Sequence, residues 1–187
     1  LEAETADEVR GVDGARRRLD RSVVRLERVQ PGFVPDDVAV AHVLLPAAKY
    51  TTGPMRARFL RDALDRLRAA PGVRDAGITD RVPLGTDGWR ATIEVEDRPL
   101  PPDAAGATHP AATVDGHYFG TMRIPLLRGR SFGPMDEPHT AEDVVVSHAF
   151  ALRYWNGASP VGKRIRPVGG TWLTIVGEVG DVHYEGL

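Results

Sequence analysis

The residues whose types and spacing could do chemistry fall into a few groupings, and each lacks something its chemistry needs. Gly157 to Lys163 spells G-A-S-P-V-G-K, formally the phosphate-loop pattern GxxxxGK. Arg164 follows where a Ser or Thr hydroxyl would ligate Mg²⁺. The run also follows a helical stretch and precedes a strand, the reverse of the order that sets phosphate on a helix N-terminus. Pro160 removes one backbone donor from it. Ser147 and His148 are sequence neighbours, but no G-x-S-x-G elbow displays a nucleophile. Asp181, His183 and Glu185 alternate, so in a strand they share one face, and their donor types suit a metal. Steps of roughly 7 Å along a single strand give such a set awkward geometry, and a solvated edge is the better reading. His139 and Glu142 fall in an acidic loop, and His42 lies in an apolar run with no second ligand spaced to join it. The chain has no Cys, which removes disulfides, thiolate zinc sites and Cys nucleophiles together. The carboxylates are scattered, with no pair placed for acid–base work. The expectation is a non-catalytic chain: no catalytic residue, no metal site and no cofactor of its own.

The three Trp remain. Trp155 follows Tyr154 at a helix end and Trp172 opens a strand, so both are expected to pack. Trp89 follows a Gly-containing loop, and with Arg90 it forms the candidate contact surface. A net charge of −2 gives no global field for nucleic acid or an anionic membrane. No nucleic-acid motif is present.

The elements that must position these residues read as follows. Residues 1–14 are acidic and glycine-punctuated, a disordered start or an added remnant. Residues 15–32 hold an N-terminal helix with six Arg around an apolar stripe. It reads as a solvated amphipathic helix or as a stalk beside a membrane, where each Arg near anionic lipid contributes about 1 kcal/mol. Val38–Leu45 reads as a strand. A helix starts at Thr52-Gly53-Pro54 and runs to about Ala70, with Met55, Phe59, Leu60, Ala63, Leu64 and Leu67 on one face. Val73–Thr79 follows as a strand, making a βαβ unit with a right-handed crossover. Trp89–Glu96 alternates as a half-wet strand. Residues 99–106 are a Pro- and Ala-rich connector. Thr108–Val114, Ile124–Arg128, Val144–Val146, Lys163–Arg166 and Trp172–Val182 read as strands, and Tyr118–Met122 and His148–Trp155 as short helices. Ser147 caps the second of these, and Asn156-Gly157 stops it. No apolar run approaches the roughly 18 residues that span a bilayer, and no signal peptide is visible. With 187 residues, 20 Gly and 15 Pro, the fold class is α+β: βαβ units on mixed sheets, in two lobes divided near 99–106, preceded by the N-terminal helix.

Three blocks carry a resemblance. They are RVQPGFVPDDV; VDGHYFGTMRIPLLRGRSF; and VVVSHAFALRYWNGASPVGKRI with TIVGEVGDVHYEGL. In this order they resemble the periplasmic core domain of MacB-like permeases of ABC transporters (MacB and FtsX type), over about residues 22–187. That family tends to read Tyr-Phe, then Gly-Ile-Pro-Leu-Leu-x-Gly-Arg; valines then Asn-Glu-Ala; aromatic-Trp, Pro-Gly, Asp-Pro-Val-Gly-Lys-Arg-Ile; and Val-Val-Gly-Val-Val-Gly-Asp-Val. Tyr118, Phe119, Pro125, Gly129, Arg130, Trp155, Pro160, Gly162 and Lys163 match as structural signature residues. Arg123 stands where Gly is usual, Ser147 and His148 where Asn and Glu are, and Asn156 where Pro is. A membrane helix enters the family's domain where Arg16, Arg17 and Arg18 stand here.

The resemblance implies an extracytoplasmic domain, residues 33–187, that performs mechanical work on a substrate or partner. ATP would belong to a separate cytoplasmic nucleotide-binding domain reached through membrane segments, and a second permease copy would form a dimer. The alternatives are a free-standing extracellular ligand-binding module and, more remotely, a hydrolase.

Overall fold

The computed structural model describes residues 31–85, 89–96, 108–133 and 142–184. The expected disordered start, N-terminal helix and 99–106 connector, and the loop residue His139 and Glu185, lie outside them. From Gly32 onward the described residues belong to one compact unit.

The elements in chain order are α1 (Gly53–Arg68), β1 (Trp89–Val95), β2 (Thr108–Ala111), α2 (Tyr118–Thr121), β3 (Leu126–Gly129), β4 (Asp143–Ser147), α3 (His148–Trp155), β5 (Arg164–Pro167) and β6 (Leu173–Val179). The fold is α+β, as expected, and the sheet is mixed. β4 runs parallel to β6, and every other pairing is antiparallel.

β6 is the hub. It pairs with β4 over Thr174–Val179, with β5 at Leu173–Thr174 and with β3 over Gly177–Val179. A strand has two edges, so β5 and β3 share one of them in succession. Two bulges make this possible: Val176 is extra in β6 against β4, and Leu127 is extra in β3 against β6. At this crossing the chain needs glycine. A Cβ on Gly129 would lie 2.2 Å from the Val176 carbonyl, and φ there is +72°.

The triple-valine run of β4 fills both faces of the sheet. Val146, with Val144 against it, joins Val95, Ala151, Ile165 and Ile175 on the α3 side. Val145 packs against Tyr118, Met122, Ile124 and Val179 on the α2 side, together with Phe33, Val38 and Val182. Fully burying such a side chain is worth about 1.5–3 kcal/mol, so these two clusters hold the unit together.

The expected βαβ unit around α1 is a correction. Val38–Leu45 is no strand: no backbone group from residue 39 to 45 has a hydrogen-bonding partner among the described residues. Val73–Thr79 reduces to one bridge, Thr79 with Val114. Strand propensity needs a neighbouring backbone; among the described residues none pairs with 39–45, and only the end of 73–79 meets one. α1 itself forms as expected, with Thr52 capping it through a hydrogen bond from the Met55 amide and Pro54 in the first turn. Its apolar face is only half covered. Phe59, Leu60, Ala63 and Leu64 are half-buried, while Met55 and Leu67 are exposed.

Candidate functional site

The contact surface expected at Trp89 and Arg90 lies at the start of β1. Trp89 is 45% exposed, and its carbonyl accepts from Arg81 Nη1 at 3.4 Å. Arg90 is turned to its neighbour strand instead: Nε donates to Thr108 Oγ1 and Nη2 to the Thr108 carbonyl, each at 2.9 Å. Arg90 therefore braces β1 against β2, and the indole carries the exposed apolar surface.

The signature residues serve turns and packing. Tyr118 is buried, and its hydroxyl meets that of Tyr184 at 3.2 Å; burial, followed by the Tyr184 contact, pushes the Tyr118 phenol well above its ordinary range. Phe119 packs at the α2-side core. Pro125 offers its carbonyl to the Gly180 amide at 2.8 Å. Arg130 pairs with Asp143. Trp155 lies against Phe150 and Tyr154. Pro160 is fully buried.

Four amides of the GxxxxGK run are spent inside the protein. Gly162 N–H donates to Ile175 O at 2.8 Å, Lys163 N–H to Pro160 O at 3.0 Å and Ala158 N–H to Trp155 O at 3.0 Å, while Val161 N–H turns to Ser159 Oγ at 3.3 Å. A phosphate cradle needs such donors free and converging; here the run is the turn that leads into β5.

The other groupings are also separated. Ser147 Oγ accepts from the Phe150 amide, capping α3. Asp181 Oδ1 accepts from the Ala149 amide at 2.7 Å at the same helix end. His148 turns to Glu178. His183 gives its carbonyl to the Leu84 amide at 3.3 Å. His42 is exposed in the unpaired run 39–45. No three His, Cys, Asp or Glu among the described residues are grouped to hold a metal ion.

Three clusters escaped the sequence reading. Glu178, 1% exposed next to the C-terminal end of β6, takes His148 Nδ1 at 2.7 Å and Arg128 Nη1 at 3.0 Å. A signal was available: the quoted family motif has Val at this position of V-G-E-V-G. The second cluster joins Arg68 at the end of α1 to the Ala76 carbonyl at 2.6 Å and Asp115 Oδ2 at 2.9 Å, with His117 Nδ1 at 2.9 Å from Asp75. Burial pushes the Asp75 carboxyl up, but the Ala76 amide, His117 and Arg68 outweigh it and hold it below its ordinary value. The third is His109 on β2, whose Nε2 lies 2.8 Å from the Tyr154 hydroxyl of α3. Burial, then the charges of Arg153 and Arg90, lower its pKa.

The segments that lead into and out of this unit run together. A Cβ on Gly32 would lie 1.7 Å from the Asp181 carbonyl, Val34 N–H donates to Met122 O at 3.1 Å, and Phe33 and Val182 pack at one core. Asp181 and Val182 continue directly from β6.

These features define a mixed-sheet α+β domain whose motif residues make turns, caps and packing, with its two flanks side by side. The MacB-like periplasmic core domain family matches residues 12–186, and the chain belongs to it. Among solved structures the chain is similar to the periplasmic region of MacB from Actinobacillus actinomycetemcomitans (12% identity, TM-score 0.48, covering 67% of this chain and 52% of that one). It is also similar to the extracellular domain of the noncanonic ABC-type transporter YknZ from Gram-positive bacteria (15% identity, TM-score 0.47, covering 66% of this chain and 58% of that one). The chain thus spans little more than half the length of these structures. A comparison with curated proteins gave no match. Family membership carries the coarse role with it, an extracytoplasmic domain. Among the described residues no helix is long and apolar enough to cross a membrane.

Proposed function

We propose that this domain is inserted between two membrane helices of an ABC-transporter permease and converts ATP hydrolysis, performed by a separate cytoplasmic nucleotide-binding domain, into mechanical work on a substrate or partner outside the membrane. The domain itself is non-catalytic and binds no ATP, and a second permease copy completes the assembly. The observation that carries this reading is the pairing of the flanks at Gly32 and Asp181. A domain spliced between two neighbouring membrane helices must start and finish at one place. The outgoing flank continues from β6, which is bonded to three other strands, so a displacement of that flank acts on the whole sheet. Packed cores respond to such displacements by switching between arrangements rather than by stretching.

The test uses the complete permease with its nucleotide-binding domain. Because the flanks are adjacent, residues 35–180 can be replaced by a short Gly-Ser linker. ATP hydrolysis is expected to persist and ATP-driven transport to vanish. Transport that survives the excision overturns the proposal, and so does loss of hydrolysis along with transport, which would make the domain a scaffold.

A further inference from the structure

We propose that His109 is an acid-sensitive latch that fastens the β1–β2 hairpin to α3 when neutral and releases it when protonated. The geometry is specific. His109 sits on β2 opposite Ala91 of β1. Its Nε2 meets the Tyr154 hydroxyl at 2.8 Å, and its ring stands edge-on to Phe150 with centroids 4.9 Å apart. Tyr154 and Phe150 in turn contact each other, at 4.6 Å between centroids. One imidazole thus joins β2 to the aromatic face of α3.

The groups facing the ring make it a poor place for a positive charge. From α3 come Tyr154, Phe150 and the Arg153 guanidinium; from β1 comes Arg90. Phe150 and Tyr154 cover part of the ring, and both charged neighbours among the described residues are cationic. Burial first, then Arg153 and Arg90, lower the His109 pKa, which supports the assignment. The sign follows from linkage. The folded hairpin disfavours the charged ring, so the contribution is whole above pH 6.5, the ordinary imidazole value. It is lost as pH falls through the lower value held in the fold. The remaining hold of β2 is short: four residues paired to the first half of β1, with Arg90 bonded to Thr108. β1 stays bound through its second half to β5, so release frees the hairpin without opening the sheet. Only the place where the acid is met rests on the function proposed above, because the extracytoplasmic side lacks the buffering of a cytoplasm. The latch itself does not depend on it.

The test is hydrogen exchange by mass spectrometry on the 187-residue chain, corrected for intrinsic rates, from about pH 7.5 to about pH 5.5, the range in which an imidazole titrates. Protection of residues 89–92 and 108–111 is expected to fall by up to about tenfold per pH unit, the slope for uptake of one proton. Protection of 173–179 is expected to hold. In His109→Gln, which keeps a polar side chain and cannot titrate, the acid-induced loss is expected to disappear. Equal loss in the variant, or hairpin protection independent of pH in the unsubstituted chain, overturns the proposal. Should His109→Gln fail to fold, NMR titration of the His109 ring in the unsubstituted chain decides. A midpoint below 6.5 that moves on Tyr154→Phe supports the latch, and a midpoint at or above 6.5 overturns it. None of these outcomes involves transport, so the latch and the transport role fail separately.

Discussion

The two ends of the chain's described part make opposite use of similar amino acids. In the β6 region, apolar runs find partners on both sides: Ile175 is 0% exposed, and β4, β5 and β3 surround its strand. In the α1 region, Val38–Leu45 is equally apolar and β-branched, yet Leu44 is 93% exposed and Val40 and Val43 are exposed too. α1 has a clear apolar face and no buried residue. The difference teaches that pattern nominates an element and a neighbouring surface admits it. Stability is therefore expected to be uneven, concentrated around β6 and low around α1.

The largest effect separates the two regions directly. Ile175→Ala is expected to cost about 2–5 kcal/mol, the range for truncating a closely packed core side chain. Leu44→Ala, at an exposed site, is expected to stay within about 0.5 kcal/mol of the unsubstituted chain. Urea unfolding of both variants at unchanged m-value measures this. Comparable losses would mean that residues 38–45 are buried as well, and the contrast would fail.

How much of this was legible follows the same line. The β4–α3–β5–β6 stretch was readable because its signals are local and agree: three valines, a Ser cap, an Asn-Gly stop and a Pro-Val-Gly turn. The helix α1 was readable for the same reason, through Thr52, Pro54 and the spacing of Phe59, Leu60, Ala63 and Leu64. The two strands around α1 were misread because pairing is a long-range property that no window of sequence contains. At the candidate sites, rejection of the GxxxxGK run was readable from order and from Arg164, while the destinations of its amides were not. Glu178, His148 and Arg128 lie apart in the chain and meet only because β3, β6 and α3 converge. The pairing of Gly32 with Asp181 has no sequence signature at all.

The next effect tests the helix stop at the edge of the stable region. Asn156 takes φ +47° and donates its amide to Leu152 O. A proline, the residue usual in the resembling motif, is held near −65° and has no amide to donate. Asn156→Pro is expected to destabilise by about 3 kcal/mol, whereas Asn156→Gly, free to adopt positive φ, is expected to be near neutral. Thermal unfolding of the pair distinguishes a backbone cause from a side-chain one, since both variants lose the same amide side chain.

Glu178 sharpens the comparison from within the core. Its carboxylate is 1% exposed, while the side chains of Arg128 and His148 are 41% and 45% exposed. Replacing a buried ion by an apolar residue of fitting shape is often neutral or stabilising, and the two partners can regain water. Glu178→Val is therefore expected to be neutral or stabilising by on the order of 1 kcal/mol. Removing both partners, with Arg128→Ala and His148→Ala together, is expected to destabilise, because the buried charge stays behind. Opposite signs in urea unfolding are the outcome to look for. Destabilisation by Glu178→Val would show instead that the ion cluster itself holds α3 and β3 to β6.

The smallest effect concerns Arg123, where the chain departs from the glycine of the resembling motif. α2 ends in a Schellman arrangement: Ile124 N–H donates to Phe119 O at 2.8 Å and Arg123 N–H to Gly120 O at 3.1 Å. This geometry places Arg123 at φ +54°, a left-handed conformation that costs a residue with a Cβ about 1–2 kcal/mol. Glycine carries no such penalty, but it gives back part of the gain through a freer unfolded chain. Arg123→Gly is therefore expected to stabilise by roughly 0.5–1 kcal/mol, with Arg123→Ala near zero because it keeps the Cβ. Arg123 is exposed, so a side-chain contact does not offset the change. If Ala and Gly stabilise equally, the backbone argument is wrong and loss of a charge is the cause. If Gly alone gains, this α2–β3 turn carries strain that the motif's usual glycine avoids.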